Sequence, residues 1–304
     1  NLAVLLSSGL GGPQDFPRAL ELYGLAGDQG HAPAQSNLAV LYERGLGVGI
    51  DLVKAVALYQ RAAAQGLPLA QNNLAILYVE GRGVKRDYAH AAGLFKRAMA
   101  GNYNEAAYGL GSLYERGRGV SLDLGKAVAL YAKAAETGLA PAQFRYAFAL
   151  LQGRHITADF KAAAHWFGRA AEAGHGPSQV NLGGMYEKGQ GLAMDAVQAA
   201  LWYERAAIAG DRFGQYALAS LYDRGLGVDQ DLGAAQQWYV RAARQGLPHA
   251  MFNLGDLYRQ GLGITADLVQ AYLWWRLADA AGVSAASNNL TLLARQMTPA
   301  QVKE

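Results

Sequence analysis

Aspartate recurs in this chain at a fixed interval, and carboxylates are the side chains that bind calcium or transfer protons in many enzymes. A step of 36 residues reaches an aspartate eight times: Asp15, Asp51, Asp87, Asp123, Asp159, Asp195, Asp231 and Asp267. A catalytic pair or a metal site needs carboxylates close together at one place, whereas these are a whole repeat apart. Each precedes a helical pattern, where a carboxylate accepts hydrogen bonds from free backbone N–H groups. We therefore expect helix capping here.

The other residue types that carry chemistry give no site either. The six histidines are scattered, and none belongs to an H-E-x-x-H motif or another compact metal spacing. The chain has no cysteine, which excludes disulfides, thiol catalysis and cysteine zinc sites. The Gly-x-Gly segments follow helical patterns rather than strands, so they indicate turns and not phosphate-binding loops. The sequence predicts a protein that is not an enzyme, with no catalytic residue, metal or cofactor.

Three further columns keep the period of the aspartates. Alanine stands four residues after each aspartate, an aromatic residue four later, and alanine again three later, as in Ala55, Tyr59 and Ala62. This spacing places the three side chains on one helix face. The alanines let a neighbouring helix approach closely, and the ring between them supplies buried area. We call this helix B of each repeat.

A second helix precedes helix B in each repeat, and we call it helix A. Ala34, Leu38 and Tyr42 follow the same helical rhythm until Gly45 ends it. The linker from Gly45 to Val48 recurs in later repeats, and glycine permits the positive φ angles of its turns. The sequence therefore predicts an all-α protein, a right-handed superhelical solenoid of 36-residue helix–turn–helix repeats.

These columns resemble the Sel-one-like (Sel1-like) repeat family, a relative of the tetratricopeptide repeats. Residues 250–282 follow the family pattern closely, with Ala250, Leu254-Gly255, Tyr258, Gly261, Gly263, Asp267, Ala271, Trp274-Trp275, Ala278 and Gly282. The resemblance covers nearly the whole chain and is specific for the fold. For function it implies an adaptor in bacterial secretion, envelope assembly or signalling, or in eukaryotic protein quality control.

The columns also predict how the chain is organised. Residues 1–283 are expected to form one array of about eight repeats, the first incomplete because Asn1 aligns with Asn37. Residues 284–304 are expected to form C-terminal capping helices: one more helix A over 284–297, then a helix that begins at Thr298-Pro299. Because the chain begins inside a helical pattern without methionine, we expect a fragment of a longer protein.

Charge and hydropathy exclude two classes of partner. The 27 basic and 24 acidic residues give a net charge of +3, and the signs alternate locally, as in Glu43-Arg44. There is no basic block of the kind that binds nucleic acid. No apolar run reaches the roughly 18 residues that a membrane-spanning helix requires, so no direct membrane insertion is expected.

Two departures from the repeat stand out. The residue before the helix-B aromatic is leucine in four repeats and then tryptophan in four: Leu22, Leu58, Leu94, Leu130, Trp166, Trp202, Trp238 and Trp274. Either two repeat lineages pack differently, or the tryptophans line a ligand site. In the cycle 139–174, His155 replaces the second linker glycine, and Tyr146 and Leu150 exchange the usual leucine and tyrosine. That exchange keeps the core volume roughly constant.

Helix A has a second face, formed by the positions equivalent to 36, 40 and 43. Together with the column beside it, at the positions equivalent to 37, we call it the groove face. In a right-handed solenoid of helix pairs it lines the concave surface. Large apolar side chains on a wet face predict an exposed patch, and such patches mark interfaces. The candidates are Tyr108, Phe144, Phe148, Val180, Tyr216 and Phe252. The alternative is that neighbouring A helices bury these side chains.

Asparagine recurs beside this patch, at Asn37, Asn73, Asn181 and Asn253. An amide donates to and accepts from an extended peptide backbone at once, and the grooves of tetratricopeptide repeats resemble this arrangement. The alternative is that the amides bond within their own repeats or to water. Arg145 interrupts the column beside Phe144, and we expect it to pair with a carboxylate of a partner.

Three functions remain open at this stage. The first is an adaptor or scaffold that binds a protein or an extended peptide in the concave groove. The second is a bacterial envelope scaffold that binds a glycan or peptidoglycan, with the aromatic rings stacked on sugars. The third is the non-catalytic repeat part of a larger enzyme. The sequence favours the first, with the bacterial periplasm or envelope rather than the cytoplasm as its location.

Overall fold

The computed structural model of this chain consists of helices joined by short turns, and it describes residues 2–298 and residue 301. Those residues form 17 α-helices and no β-strand. The helices are α1 (Leu2–Ser8), α2 (Phe16–Asp28), α3 (Ala32–Arg44), α4 (Leu52–Ala64), α5 (Pro68–Glu80), α6 (Tyr88–Ala100), α7 (Ala106–Arg116), α8 (Leu124–Ala135), α9 (Ala140–Gln152), α10 (Phe160–Glu172), α11 (Gly176–Lys188), α12 (Ala196–Ile208), α13 (Arg212–Arg224), α14 (Leu232–Arg244), α15 (Pro248–Gln260), α16 (Leu268–Ala280) and α17 (Ser284–Ala294). Odd-numbered helices are A helices and even-numbered ones are B helices. The predicted all-α solenoid of helix–turn–helix repeats is confirmed.

Two compact units make up the chain, residues 1–146 and residues 147–304, and the division falls inside α9. From α1 to α8 in the first unit, and from α10 to α17 in the second, consecutive helices pack against each other. The A helices inside each unit, α3, α5 and α7 in the first and α11, α13 and α15 in the second, therefore contact the B helix of their own repeat and the B helix of the repeat before, which buries a continuous core.

The core of each repeat is the helix-B face that the sequence predicts. Ala55, Tyr59 and Ala62 are completely buried, and their equivalents in the other repeats are buried too, except that Ala26 in the first repeat is only partly covered. Loss of such a buried ring costs about 3–5 kcal/mol. The aromatic column therefore dominates the stability of every repeat.

The aspartate column caps helix B, as predicted. All eight side chains accept a hydrogen bond from a backbone N–H in the first turn of the helix that follows. At Asp123 the donor is the backbone N–H of Lys126, 2.9 Å away. This hydrogen bond is the main reason that the pKa of the Asp123 carboxyl lies below its ordinary value. The aspartates are therefore structural residues.

The second linker glycine recurs because it combines a left-handed turn with a close contact. Gly83 has a φ of 68°, and a Cβ atom on it would lie 2.4 Å from the carbonyl oxygen of Leu52, at the start of the preceding helix B. A side chain there would collide with backbone. His155 occupies the equivalent position in its own repeat with a φ of 60°, so it keeps the glycine conformation despite the strain.

In the cycle 139–174, the burial of the exchanged leucine and tyrosine depends on residue type rather than on position in the repeat. Leu150 is buried although it occupies a tyrosine position, and Tyr146 is half-buried although it occupies a leucine position. In the other repeats the leucines are buried and the tyrosines half-buried, so the exchange preserves how each residue type is used. It fits the compensated packing that the sequence predicts.

The C-terminal segment is described as far as Thr298, together with Gln301. The predicted boundary after residue 283 falls in the turn before α17, and α17 is the predicted additional helix A. The backbone N–H of Thr298 donates to Oε1 of Gln301, and the backbone N–H of Gln301 donates to Oγ1 of Thr298, which is the pattern of a capping box. The other residues of the predicted last helix, Pro299, Ala300 and residues 302–304, lie outside the described residues, as does Asn1.

Candidate partner-binding face

The aromatic residues of the groove face form an outer layer over the buried rings of helix B. The ring centroids of Tyr108 and Tyr131 lie 5.7 Å apart, and those of Tyr216 and Tyr239 also lie 5.7 Å apart. Phe252 lies 6.5 Å from Trp275. In each pair the helix-B ring is fully buried and the groove-face ring is half-buried. The outer ring has its back supported and still reaches solvent, which neither alternative from the sequence described.

The other candidates of this face differ in exposure. Phe148 is 37% exposed, whereas Phe144 and Val180 are half-buried. In the repeats nearer the N-terminus the first position of the face is polar and buried, with Ser36 1% exposed and Asn72 9% exposed. The aromatic part of the groove face therefore begins at Tyr108.

Two of the groove-face asparagines bond to a buried tyrosine of the preceding repeat. Nδ2 of Asn73 donates to the hydroxyl oxygen of Tyr59 at 3.5 Å, and Nδ2 of Asn253 donates to that of Tyr239 at 2.9 Å. The Tyr59 hydroxyl in turn donates to Oε2 of Glu43 at 3.0 Å. The result is a triad of carboxylate, tyrosine and asparagine that joins helix A to the repeat before. The tyrosine hydroxyl as partner of these asparagines was not predicted from the sequence.

Asn181 shows how the triad depends on the hydroxyl. Phe167 stands where the triad needs tyrosine, and Nδ2 of Asn181 donates instead to the backbone carbonyl of Pro177 in its own helix, at 2.7 Å. Asn37 lines a cleft near the N-terminus together with Tyr23 and His31. The pairing of asparagine with the helix-B tyrosine could have been suspected from the sequence, because Phe167 replaces tyrosine in that column.

Arg145 takes the asparagine position of a modified triad. Its Nη1 lies 3.4 Å from Oε1 of Glu115, while the hydroxyl of Tyr131 donates to Oε2 of the same carboxylate at 3.0 Å. The Arg145 side chain is 38% exposed. The expected carboxylate partner of Arg145 is therefore present inside the protein, and a carboxylate from another molecule has to share the guanidinium with Glu115.

Burial sets the acidity of the triad tyrosines. Desolvation, aided by the neighbouring carboxylate, raises the pKa of Tyr59, Tyr131, Tyr203 and Tyr239 well above the ordinary tyrosine value. Each hydroxyl therefore stays protonated and acts as a hydrogen-bond donor to its carboxylate.

Arginine covers three of the four tryptophans in the column. The guanidinium of Arg205 lies 4.5 Å from the ring centroid of Trp202, and that of Arg241 lies 4.3 Å from the ring centroid of Trp238. Arg169 has the same relation to Trp166. A covered ring face offers no platform for a sugar, so for these three residues the geometry favours the packing explanation over a tryptophan-lined ligand site.

A column of buried glutamines was not identified from the sequence. Gln35, at 1% exposure, donates from Nε2 to the backbone carbonyl of Gly27, eight residues earlier, at 2.8 Å. Gln71, Gln143, Gln179 and Gln215 make the same hydrogen bond in their repeats. Each amide ties the last turn of a B helix to the A helix that follows.

An apolar cavity of about 460 Å³ opens on the groove face of the first unit, between α5, α6 and α7. Within residues 2–298 and 301, no group of three or more histidine, aspartate or glutamate side chains is placed to hold a metal ion. No helix in the same part of the chain is long and apolar enough to cross a membrane.

Comparisons with known proteins agree with this architecture. The Sel1 repeat matches residues 1–31, 32–67, 68–103, 104–139, 140–175, 176–211, 213–247 and 248–282. A Sel1 repeat protein from Oxalobacter formigenes is 28% identical in sequence, with a TM-score of 0.71, over 80% of this chain and 96% of that one. The antigen c5321, from uropathogenic Escherichia coli strains, is 27% identical over 99% of this chain and 80% of its own, with a TM-score of 0.46. A search of curated proteins gives no match. The repeat columns, the helix pairs and the eight matched Sel1 repeats agree, and the chain belongs to the Sel1 repeat family.

Proposed function

We propose that this chain is a non-catalytic scaffold that binds a protein or an extended peptide along the groove face. The observation that carries the proposal is the double layer of aromatic rings within each unit. The outer rings of Tyr108 in the first unit, and of Tyr216 and Phe252 in the second, are half-buried and supported from behind. Arrays of Sel1 repeats are commonly protein-interaction scaffolds, and this surface is where such an array offers apolar area to a partner.

The double layer suits binding because it is rigid. A ring held against a buried ring loses little conformational freedom when a partner covers it, so more of the gain from burial remains as affinity. Each further apolar Å² that a partner covers contributes about 25 cal/mol. Aromatic residues on fixed supports are the usual anchors of protein interfaces.

The part of α9 that belongs to the first unit carries two adjacent candidate anchors. Phe144 is half-buried, and the side chain of Arg145 is 38% exposed. Aromatic residues and arginine are enriched among residues that carry most of the binding energy of an interface. The planar guanidinium has donors on several sides, so it can bind Glu115 and a second carboxylate together.

The proposal is tested by photo-crosslinking at matched positions. Benzoylphenylalanine in place of Tyr216 puts the probe on the groove face, and the same residue in place of the exposed Gln237 puts it on the surface of α14. Binding along the groove face predicts that a single protein is crosslinked at position 216 and not at 237, and that it binds the purified chain in a titration. Equal crosslinking at both positions, or crosslinking at 237 alone, contradicts the proposal.

A further inference from the structure

The cavity between α5, α6 and α7 is built from groove-face residues and from one buried ring. Phe95, at 2% exposure, closes its inner end. Ile76 and Tyr108 are groove-face residues that line it, and Tyr103 lines it from the turn before α7. The volume of about 460 Å³ falls within the range of roughly 300–1,000 Å³ that is typical of ligand pockets.

The cavity lies at a joint between two repeats that has lost every polar member of the triad. Where other joints have glutamate, tyrosine and asparagine, as in Glu43, Tyr59 and Asn73, this joint has Val79 and Phe95 from one repeat and Gly109 from the next.

Gly109 is the key replacement, because a Cβ atom there would lie 2.4 Å from Cζ of Phe95. The tip of the Phe95 ring therefore lies against the backbone of α7, at the position where the Tyr59 joint has an asparagine side chain. The three replacements act together and leave an apolar inner end.

The edge of the cavity carries positive charge. Arg116 and Arg118 both line it, and among the described residues no carboxylate lies within 4.0 Å of either guanidinium. Arg118 lies over the ring of Tyr88, 5.4 Å from its centroid, which holds the guanidinium in place. Glu105 also lines the cavity. An apolar interior beside two arginines that lack a carboxylate partner complements an apolar group joined to an anion.

We propose that this cavity binds one large apolar side chain of a protein partner, such as phenylalanine, with an adjacent glutamate or aspartate paired to Arg116 or Arg118. The proposal rests on the proposed function, because Ile76, Tyr108 and Gly109 belong to the groove face along which a partner chain would lie. It adds the chemistry of the segment that is recognised: an aromatic residue flanked by acidic ones.

The test uses a defined peptide, acetyl-Gly-Glu-Phe-Glu-Gly-amide, and the Ile76 methyl group as its reporter. Ile76 lines the cavity, and Ile208, which is 70% exposed in the second unit, serves as the internal control. With carbon-13-labelled isoleucine methyl groups, the peptide should shift the Ile76 signal and leave that of Ile208 in place. Replacement of phenylalanine by alanine in the peptide should abolish the shift, and replacement of both glutamates by glutamine should weaken binding at least about fivefold.

A variant that restores the triad tests the cavity itself. Val79→Glu, Phe95→Tyr and Gly109→Asn together install the residues of the Tyr59 joint, and the ring at position 95 has to shift to admit the new Cβ atom at position 109. If circular dichroism shows that this variant is folded, its binding of the peptide should be reduced at least about tenfold. The second variant combines Arg116→Gln and Arg118→Gln, both at exposed positions. Its affinity for the glutamate peptide should fall to the affinity that the wild type has for the glutamine peptide. The second variant keeps the test valid if the first one fails to fold.

Three outcomes overturn the proposal. One is an alanine peptide that shifts Ile76 as strongly as the original peptide. Another is an arginine-to-glutamine variant that binds the glutamate peptide unchanged. The third is 8-anilinonaphthalene-1-sulfonate shifting Ile76 when no peptide does, which makes the cavity a site for a free aromatic anion. Crosslinking at position 216 is independent of these readouts, so the cavity proposal can fail while the proposed function stands.

Discussion

Asn253 donates a hydrogen bond from Nδ2 to the hydroxyl oxygen of Tyr239 across the joint between two repeats, at a distance of 2.9 Å. The hydroxyl of Tyr239 in turn faces Oδ2 of Asp223 at 3.5 Å. The Asn253 amide, which the sequence predicts as a candidate contact for a bound peptide, thus already has a partner inside the protein. A peptide that engages Asn253 without displacing the tyrosine has to use the side-chain carbonyl oxygen of Asn253 or the second N–H of its Nδ2.

Asn253→Ala should therefore lower stability, because it removes a hydrogen bond to a buried hydroxyl. The expected loss is about 0.5–1.5 kcal/mol, the usual net value of one such bond. Urea unfolding followed by circular dichroism measures it, and Asn181→Ala is the matched control, since that amide bonds within its own helix. In a Tyr239→Phe background the cost of Asn253→Ala should shrink, and an unchanged cost in that background contradicts the pairing.

We expect alkaline pH to lower the free energy of unfolding through the buried tyrosines. The pKa of Tyr59, Tyr131, Tyr203 and Tyr239 is raised in the folded state by burial. The unfolded chain loses these protons near pH 10, so the stabilisation is complete below about pH 10 and is lost as the pH rises towards the folded pKa. Each tyrosine contributes a slope of up to about 1.4 kcal/mol per pH unit.

A tyrosine-to-phenylalanine variant isolates this effect from the titration of lysine. Tyr203→Phe copies the phenylalanine found at positions 95 and 167, and Glu187 keeps its ion pair with Arg224, so the variant should fold. Between pH 9.5 and 11.5, urea titrations should give it a flatter dependence of unfolding free energy on pH than the wild type. Identical slopes would show that Tyr203 ionises as freely in the folded state as in the unfolded one.

The core and the caps could be predicted from the sequence because each rests on one residue type at one position. Asp51, Ala55 and Tyr59 recur unchanged in kind, and their roles follow from helix geometry alone. The double ring layer could not be predicted, because it depends on the ring of Tyr216 lying over that of Tyr239, 23 positions away in the chain. The glutamine column was visible as a column, but its partners are backbone carbonyls, which leave no mark in the sequence.

Ala209→Gln should stabilise the protein by completing a bond that two other repeats already make. Nε2 of Gln65 donates to Oε1 of Gln35 at 2.9 Å, and Gln245 does the same for Gln215. Oε1 of Gln179 is buried and receives no hydrogen bond from the described residues, and the position equivalent to Gln65 is Ala209. A donor for this oxygen should add about 0.5–1.5 kcal/mol.

The gain is measured by thermal and urea unfolding, with Ala209→Glu as the matched control, because its carboxylate has the same length and no amide donor. If Ala209→Gln and Ala209→Glu have equal stability, the new amide does not reach Gln179. Methionine should be tolerated at position 179, because Met251 occupies the equivalent position in a later repeat. Since Gln179→Met removes the acceptor oxygen, a gain from Ala209→Gln that persists in this background would also contradict the mechanism.

Phe144→Ala combined with Arg145→Ala should reduce the affinity for a partner by at least about 2 kcal/mol, which is the threshold of an interface anchor. Arg145 pairs with Glu115 at 3.4 Å, and the Tyr131 hydroxyl remains bound to that carboxylate when the arginine is removed. The double variant should therefore keep most of its helical signal. The control is Phe160→Ala with Lys161→Ala, which removes an exposed aromatic residue and a cation from the start of α10.

The competing hypothesis makes Phe144 a core residue, and it predicts a loss of about 3–5 kcal/mol in stability from Phe144→Ala alone. Because the ring is half-buried, we expect a smaller loss, roughly 1–2.5 kcal/mol, together with the loss of affinity. Binding titrations and thermal melts on the same preparations separate the two effects. A full core-sized loss of stability, or an affinity that falls as much in the α10 control as in the α9 variant, would remove Phe144 and Arg145 as anchors.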